Sequence, residues 1–282
     1  MKGVKKMPKH ITSEKEADIV RDYCSAPVTI EQIAEKYNVS FPSVIKILNK
    51  HKIARWSKSR MLSPELREDY FETIDTECKA YFLGLLLTDG NVYVNGNRYN
   101  ISITLKDGDR YLIEKFLREI KCNKKITGDN RGCSEVAIRS KKMACDLSKY
   151  GIIPQKSLQQ ELPNNIDDML FSHFLRGIMD GDGNLSFYSR RGRKVHDKAV
   201  RLCSGTQKFL EDLVVVLKNN LDLSYCPKVR QEKDNTFSIS YRNKSDMYKI
   251  LSYMYDDATI YMKRKKEIAD KIMDEIREYR DN

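Results

Sequence analysis

Asp89 and Asp182 close two apolar runs in the same way. Residues 82–92 read FLGLLLTDGNV, and residues 174–185 read FLRGIMDGDGNL. Each run carries a glycine five positions before its last aspartate, Gly84 before Asp89 and Gly177 before Asp182, and the two copies lie 182 − 89 = 93 residues apart. A carboxylate at a helix C-terminus faces the negative end of the helix dipole, and two such helices packed side by side in parallel would bring two like charges together. That arrangement calls for a cation. A divalent metal held by oxygen ligands suits it, and next to a phosphodiester such an ion assists hydrolysis. One copy alone is equally well explained as a core helix ending in an Asp-Gly turn; the matched pair is what argues for chemistry.

The elements that must position these aspartates can be read from the flanking pattern. Asp75 precedes TECKAYFLGLLLTDG and Asn165 precedes IDDMLFSHFLRGIMDGDG, so both stretches are expected to be helices that end at their carboxylates. A glycine inside a helix costs about 1 kcal/mol relative to alanine, so Gly84 and Gly177 point to two backbones in close approach. After the first motif come alternating segments NVYV, YNISITL and SEVAIRS with helical DRYLIEKFLREI and KMACDLSKYG; after the second come NLSFYSR, KAVRLCSG and FSISYRN with TQKFLEDLVVVLKNNL and DMYKILSYMY. With third strands near 124–128 and 226–232, each half reads as helix, two strands, helix, two strands, helix. One polar strand face in each half is left for something wet, and it carries Arg98, Ser102, Thr104, Arg139, Tyr188, Arg190, Arg201, Arg230 and Arg242.

Composition narrows the class. The 282 residues are 40% hydrophobic, enough for real cores, and Lys plus Arg number 51 against 40 acidic residues, a net charge of +11 that favours a polyanionic partner such as nucleic acid. No run approaches the roughly 18 apolar residues of a membrane span, and the basic start MKGVKKMPKH has no apolar stretch behind it. Seven cysteines without a CxxC pair and four scattered histidines indicate neither a disulfide framework nor a zinc site. The expectation is a cytoplasmic protein, in a bacterial or phage setting.

Residues 12–56 form a separate helical pattern. SEKEADIVRDYCS is amphipathic, and TIEQIAEKYNVSFPSVIKILNKHKI reads as two short helices hinged at Asn38-Val39, resembling a helix-turn-helix. Ala34 falls where the helices must approach, Ile33, Val44 and Leu48 would fill the core, and Ser40 with Pro42 starts the second helix. That helix would offer Ser43, Lys46, Asn49 and Lys50 to a major groove, with Arg55 opening the basic arm RWSKSR. A generic three-helix bundle with solvated lysines stays open at this point.

The repeat resembles the LAGLIDADG homing endonuclease family, with FLGLLLTDG and FLRGIMDGDG as its two signature helices; the second is the closer match, and Leu87 stands at the earlier acidic position of the first. The resemblance covers roughly residues 74–275. It implies an α+β fold of two pseudo-symmetric αββαββα halves, with a small all-α helix-turn-helix domain in front: residues 1–60 for that domain, 61–73 for a linker, 74–162 and 163–282 for the halves. It also implies a monomeric, site-specific, double-strand DNA endonuclease that uses two or three Mg²⁺ ions. Asp89 and Asp182, with the Gly181 carbonyl, would hold metal, and Lys156 in YGIIPQKSL and Lys263 in IYMKRKK would assist the attacking water. The chain shows neither the nucleophile-led start nor the His-Asn end of protein splicing, so a free-standing or intron-encoded enzyme is expected. A cleavage-inactive transcription regulator on the same scaffold and an intron maturase remain as alternatives.

Overall fold

The computed structural model describes residues 11–26, 28–56, 63, 65–156, 159–189, 196–233 and 236–281. The chain divides into two units, residues 1–66 and 67–282. In the first, α1 (Ser13–Ser25), α2 (Ile30–Lys36) and α3 (Phe41–Lys50) close over Ile19, Tyr23, Ile33, Ala34, Val44, Ile47 and Leu48. Local chemistry sets each boundary. Thr12 caps α1, Thr29 and Gln32 form a reciprocal capping box on α2, and Ser40 caps α3 just before Pro42. Between α2 and α3, Asn38 takes a left-handed φ of 46°, which lets the Val39 N–H reach the Ala34 carbonyl at 2.9 Å. The expected hinge and small core are both present.

In the second unit, α4 (Glu77–Thr88) leads into β1 (Gly90–Asn95), β2 (Arg98–Lys106), α5 (Arg110–Glu119), β3 (Thr127–Gly128), β4 (Cys133–Ile138) and α6 (Lys141–Ser148). Its counterpart α7 (Asp168–Gly181) leads into β5 (Gly183–Ser189), β6 (His196–Ser204), α8 (Gln207–Leu221), β7 (Arg230–Gln231), β8 (Phe237–Tyr241) and α9 (Lys244–Tyr255). Both sheets are antiparallel and share one topology, β1-β2-β4-β3 and β5-β6-β8-β7. This is the α+β, two-half architecture expected from the repeat. The strands alternate as a half-buried sheet requires: Val92, Ile101, Ile103, Leu105, Val136 and Ile138 face α5 and α6, as Leu185, Val200, Leu202, Ile239 and Tyr241 face α8 and α9.

Three expectations need correction. Residues 67–73 are packed rather than a linker: Tyr70 and Phe71 are buried and meet edge to face at 4.9 Å, and the Arg67 N–H bonds the Ile120 carbonyl. Two adjacent aromatics without a periodic apolar frame do not stand out from their charged neighbours. The helix caps are Thr76 and Asp167, one and two residues beyond Asp75 and Asn165; Asp75 instead pairs with Lys79 at 2.8 Å. Lastly, a further helix, α10 (Lys263–Asp281), follows α9. Among the described residues its buried apolar stripe is Ala269, Ile272, Met273 and Ile276 amid dense charge, so its apolar content is low for its 19 residues.

Candidate active site at the paired helix ends

Helix α4 is buried from Lys79 to Leu87, as its nearly unbroken apolar sequence requires. It packs along α7 in parallel, and the two glycines make that approach possible. A Cβ on Gly84 would stand 2.2 Å from the Phe174 carbonyl oxygen; a Cβ on Gly177 would stand 2.1 Å from the Tyr81 carbonyl oxygen. These positions are related by the same 93-residue offset, so the contact is a local two-fold. One turn later a Cβ on Gly181 would meet Thr88 Oγ1 at 1.9 Å and Asp89 Oδ2 at 3.3 Å. The two helices therefore end side by side.

Asp89 and Asp182 are the C-caps of these helices. Among the described residues no hydrogen bond or ion pair engages either carboxylate. Burial, then the negative charge of Asp182, pushes the Asp89 carboxyl up to about 6. Asp182 lies more open, yet surrounding protein still desolvates its carboxyl and raises it above the usual carboxylate range. Two unsatisfied carboxylates at the negative ends of two helix dipoles make a strongly cation-seeking centre.

A buried lysine flanks each carboxylate. Lys156 Nζ donates to the Gly90 carbonyl, and Lys265 Nζ donates to the carbonyls of Gly183 and Met179, both at 2.6 Å, and of Gly181 at 3.1 Å. Gly90 and Gly183 directly follow the two aspartates, which makes Lys156 and Lys265 counterparts. Burial lowers both ammonium groups against the opposing pull of the carboxylates, Lys265 to about 8. The second lysine expected from sequence, Lys263, is not at this site: it is exposed, its ammonium lies 4.7 Å from the centre of the Tyr111 ring, and its N–H donates to Tyr111 Oη. In IYMKRKK four basic residues compete for one role, and only the phase of α10 selects Lys265. The Gly181 carbonyl, expected as a metal ligand, accepts from Lys265.

The outer sheet faces carry most of the predicted contact residues. Arg98, Thr104 and Arg139 are exposed in the first half; Tyr188, Arg230 and Arg242 are exposed in the second, where Arg201 is half-buried and pairs with Glu232 at 2.7 Å. Tyr188 and Arg242 line one groove of about 230 Å³. Ser102 differs: it is buried, because its small side chain sits mid-sheet between Asn91 and Ala137. Arg190 lies outside the described residues. In the first unit Lys46, Asn49 and Arg55 are exposed; Lys50 is exposed but pairs with Glu16 at 2.6 Å, and Ser43 Oγ lies 2.8 Å from Ser40 Oγ at the start of α3.

Sequence reasoning passed over a buried polar group beside this site. Asp180, fully buried, accepts from Tyr81 Oη (2.9 Å), Tyr255 Oη (3.0 Å) and the Met262 N–H (2.6 Å). Arg176, also fully buried, donates to the carbonyls of Ile260 (2.8 Å) and Met254 (2.5 Å) and to Glu77 (2.6 Å). Charged residues inside an apolar signature were the available signal.

No protein-family model and no curated protein matches this sequence. Solved structures do. The chain is similar to the LAGLIDADG homing endonuclease I-GzeII in complex with its DNA target (TM-score 0.53, 14% identity, 73% of this chain and 92% of the other). It is also similar to the homing endonuclease I-LtrWI bound to target DNA (0.51, 12%, 75% and 92%). A third is the meganuclease I-AabMI bound to uncleaved DNA (0.50, 16%, 71% and 91%). Paired glycine-crossed helices ending in two carboxylates, two sheets of one topology and these likenesses together identify the fold of this chain as that of the two-motif LAGLIDADG homing endonucleases.

Proposed function

We propose that this protein is a site-specific double-strand DNA endonuclease that works with Mg²⁺. The observation that carries the proposal is the pair of unsatisfied carboxylates, Asp89 and Asp182, each beside a buried lysine. A site with two carboxylates fits a hard divalent ion that keeps part of its water and takes further oxygens from a phosphate. Among the described residues no group of three or more His, Cys, Asp or Glu side chains forms a complete protein cage, which also suits an ion shared with substrate. Such an ion supplies positive charge at the scissile phosphate. Lys265, with its ammonium lowered to about 8, can hold or release a proton near neutral pH; Lys156 is its counterpart for the other strand. One chain provides both halves, so the enzyme acts as a monomer. Exposed arginines on the outer sheet faces hold the duplex through its phosphates.

Incubation with a randomised DNA library and Mg²⁺ tests this reading: discrete cuts at one sequence are expected, and selective binding without cuts would instead favour a regulator on this scaffold. The helix-turn-helix unit adds a second DNA contact. A chain starting at Ser63 is expected to fold and to bind its target more weakly and with a flatter salt dependence, since each phosphate contact removed with Lys46, Arg55 and their neighbours flattens the slope of log affinity against log salt by about 0.9. Equal affinity and equal slope for both chains on a long target would return that unit to a structural or protein-binding role.

A further inference from the structure

The two site lysines are held by unlike means although their surroundings repeat. Subtracting the 93-residue offset places Leu83 opposite Arg176 and Leu87 opposite Asp180, so the first half has no counterpart of this buried pair. Lys156 sits on the segment leading to Gln160. That glutamine donates to the Leu87 carbonyl at 3.4 Å and accepts from Ser204 Oγ at 2.9 Å. Lys265 sits on the first turn of α10, and the segment entering that turn is gripped from several sides. Arg176 holds the carbonyls of Met254 and Ile260, Asp180 holds the Met262 N–H, and Glu77 of α4 accepts from the N–H groups of Thr259 (2.7 Å) and Ile260 (3.1 Å). Lys265 follows Met262 by three residues, less than one helical turn.

We propose that Arg176 and Asp180 are positioning residues that set the register of α10 and thereby deliver Lys265, and not Lys156, to its carbonyl cradle at the end of α7. Two buried charged groups inside a signature helix are costly unless fully paired; here, besides the Arg176–Glu77 pair and the two tyrosine hydroxyls, one bond ends on Met254 in the last turn of α9 and two, to the Ile260 carbonyl and from the Met262 N–H, end on the entry segment of α10. Shifting that segment moves Lys265 while leaving the loop of Lys156 untouched. The two halves thus share a reaction geometry but not its support, and damage to this pair unbalances them.

The test uses Asp180→Asn, which keeps shape but turns an amide toward three donors, and Tyr255→Phe, which removes one donor with little change of volume. The first readout needs no DNA. Folded protein is treated with a lysine-acetylating reagent and the modified peptides are quantified by mass spectrometry. Lys265 is expected to label about fivefold faster or more in Asp180→Asn, and less so in Tyr255→Phe, with Lys156 unchanged, as local opening confined to one segment requires. The second readout rests on the endonuclease reading: on a strand-labelled target, Asp180→Asn slows one cut about tenfold or more relative to the other, the same cut that Lys265→Met slows and Lys156→Met spares. An equal rise in labelling at both lysines, no rise at Lys265, or equal slowing of both strands overturns the proposal. Selective labelling in a protein that cuts no DNA at all sinks the endonuclease reading and leaves the positioning role standing.

Discussion

Asp89→Asn is expected to abolish double-strand cleavage and, in the absence of metal, to make the protein more stable at neutral pH. The loss of cleavage follows from removing one of two metal-holding charges while keeping the shape; several kcal/mol of transition-state stabilisation corresponds to a fall of about 10³-fold or more. The gain in stability follows from linkage. Asp89 has its folded pKa raised to about 6, above its ordinary value of 3.8, so its contribution to stability is fully present below that ordinary value and is lost as pH rises through about 6. At pH 7 the ionised carboxylate therefore costs the fold roughly 3 kcal/mol, which an uncharged amide does not. Thermal melts from pH 4 to 8 check this: the two proteins converge near pH 4, separate progressively as pH rises to about 6, and stay apart above it with the variant higher. Adding Mg²⁺ should stabilise the parent by mass action and the variant much less. Asp182→Asn should abolish cleavage as well. Full cleavage by either variant in Mg²⁺ would remove these aspartates from the site.

The second large effect belongs to the helix crossing. Gly177→Ala places a methyl group 2.1 Å from a backbone carbonyl oxygen and 2.8 Å from the Leu85 nitrogen, and neither can move without separating α4 from α7. Overpacking between two backbones has no side chain that can yield, so a cost of about 3 kcal/mol is expected, a fall in melting temperature of roughly 10 °C. Gly84→Ala should do the same. Separation of the helices also spreads Asp89 from Asp182, so any folded fraction should cut DNA poorly at temperatures well below its melt. Gly108→Ala is the control: nothing lies within 4 Å of a Cβ there, and a change within about 0.5 kcal/mol is expected. Equal melting temperatures for Gly177→Ala and the parent would mean that the helices do not cross at these glycines.

What was legible in the sequence were features carried by local period and spacing. The two motif helices, the first strands after them, the open polar sheet faces, the three-helix unit with its Asn38 hinge and Ser40 cap, and the aspartate pair all follow from residues near one another in the chain. A 3.6-residue or two-residue period is a local property, and a repeat offset of 93 needs no coordinates. Even the glycine crossing was announced by the cost of glycine inside a helix.

Tertiary structure alone decided which lysine belongs to the second carboxylate. Lys263, Arg264, Lys265 and Lys266 are chemically similar neighbours, and successive helical residues point about 100° apart, so the phase of α10 assigns Arg264 to Asp109, Lys263 to the Tyr111 ring and Lys265 to the carbonyls at the end of α7. That phase is set by Arg176 and Asp180, whose partners stand 75 to 99 positions away in the chain. The same holds for Ser102, polar by type yet covered by its neighbours in the sheet, and for Tyr70 and Phe71, whose burial depends on Phe116. The aspartates could be found from sequence because a helix end fixes where they point. The lysine could not, because its place depends on long-range hydrogen bonds to carbonyls, and every residue has a carbonyl.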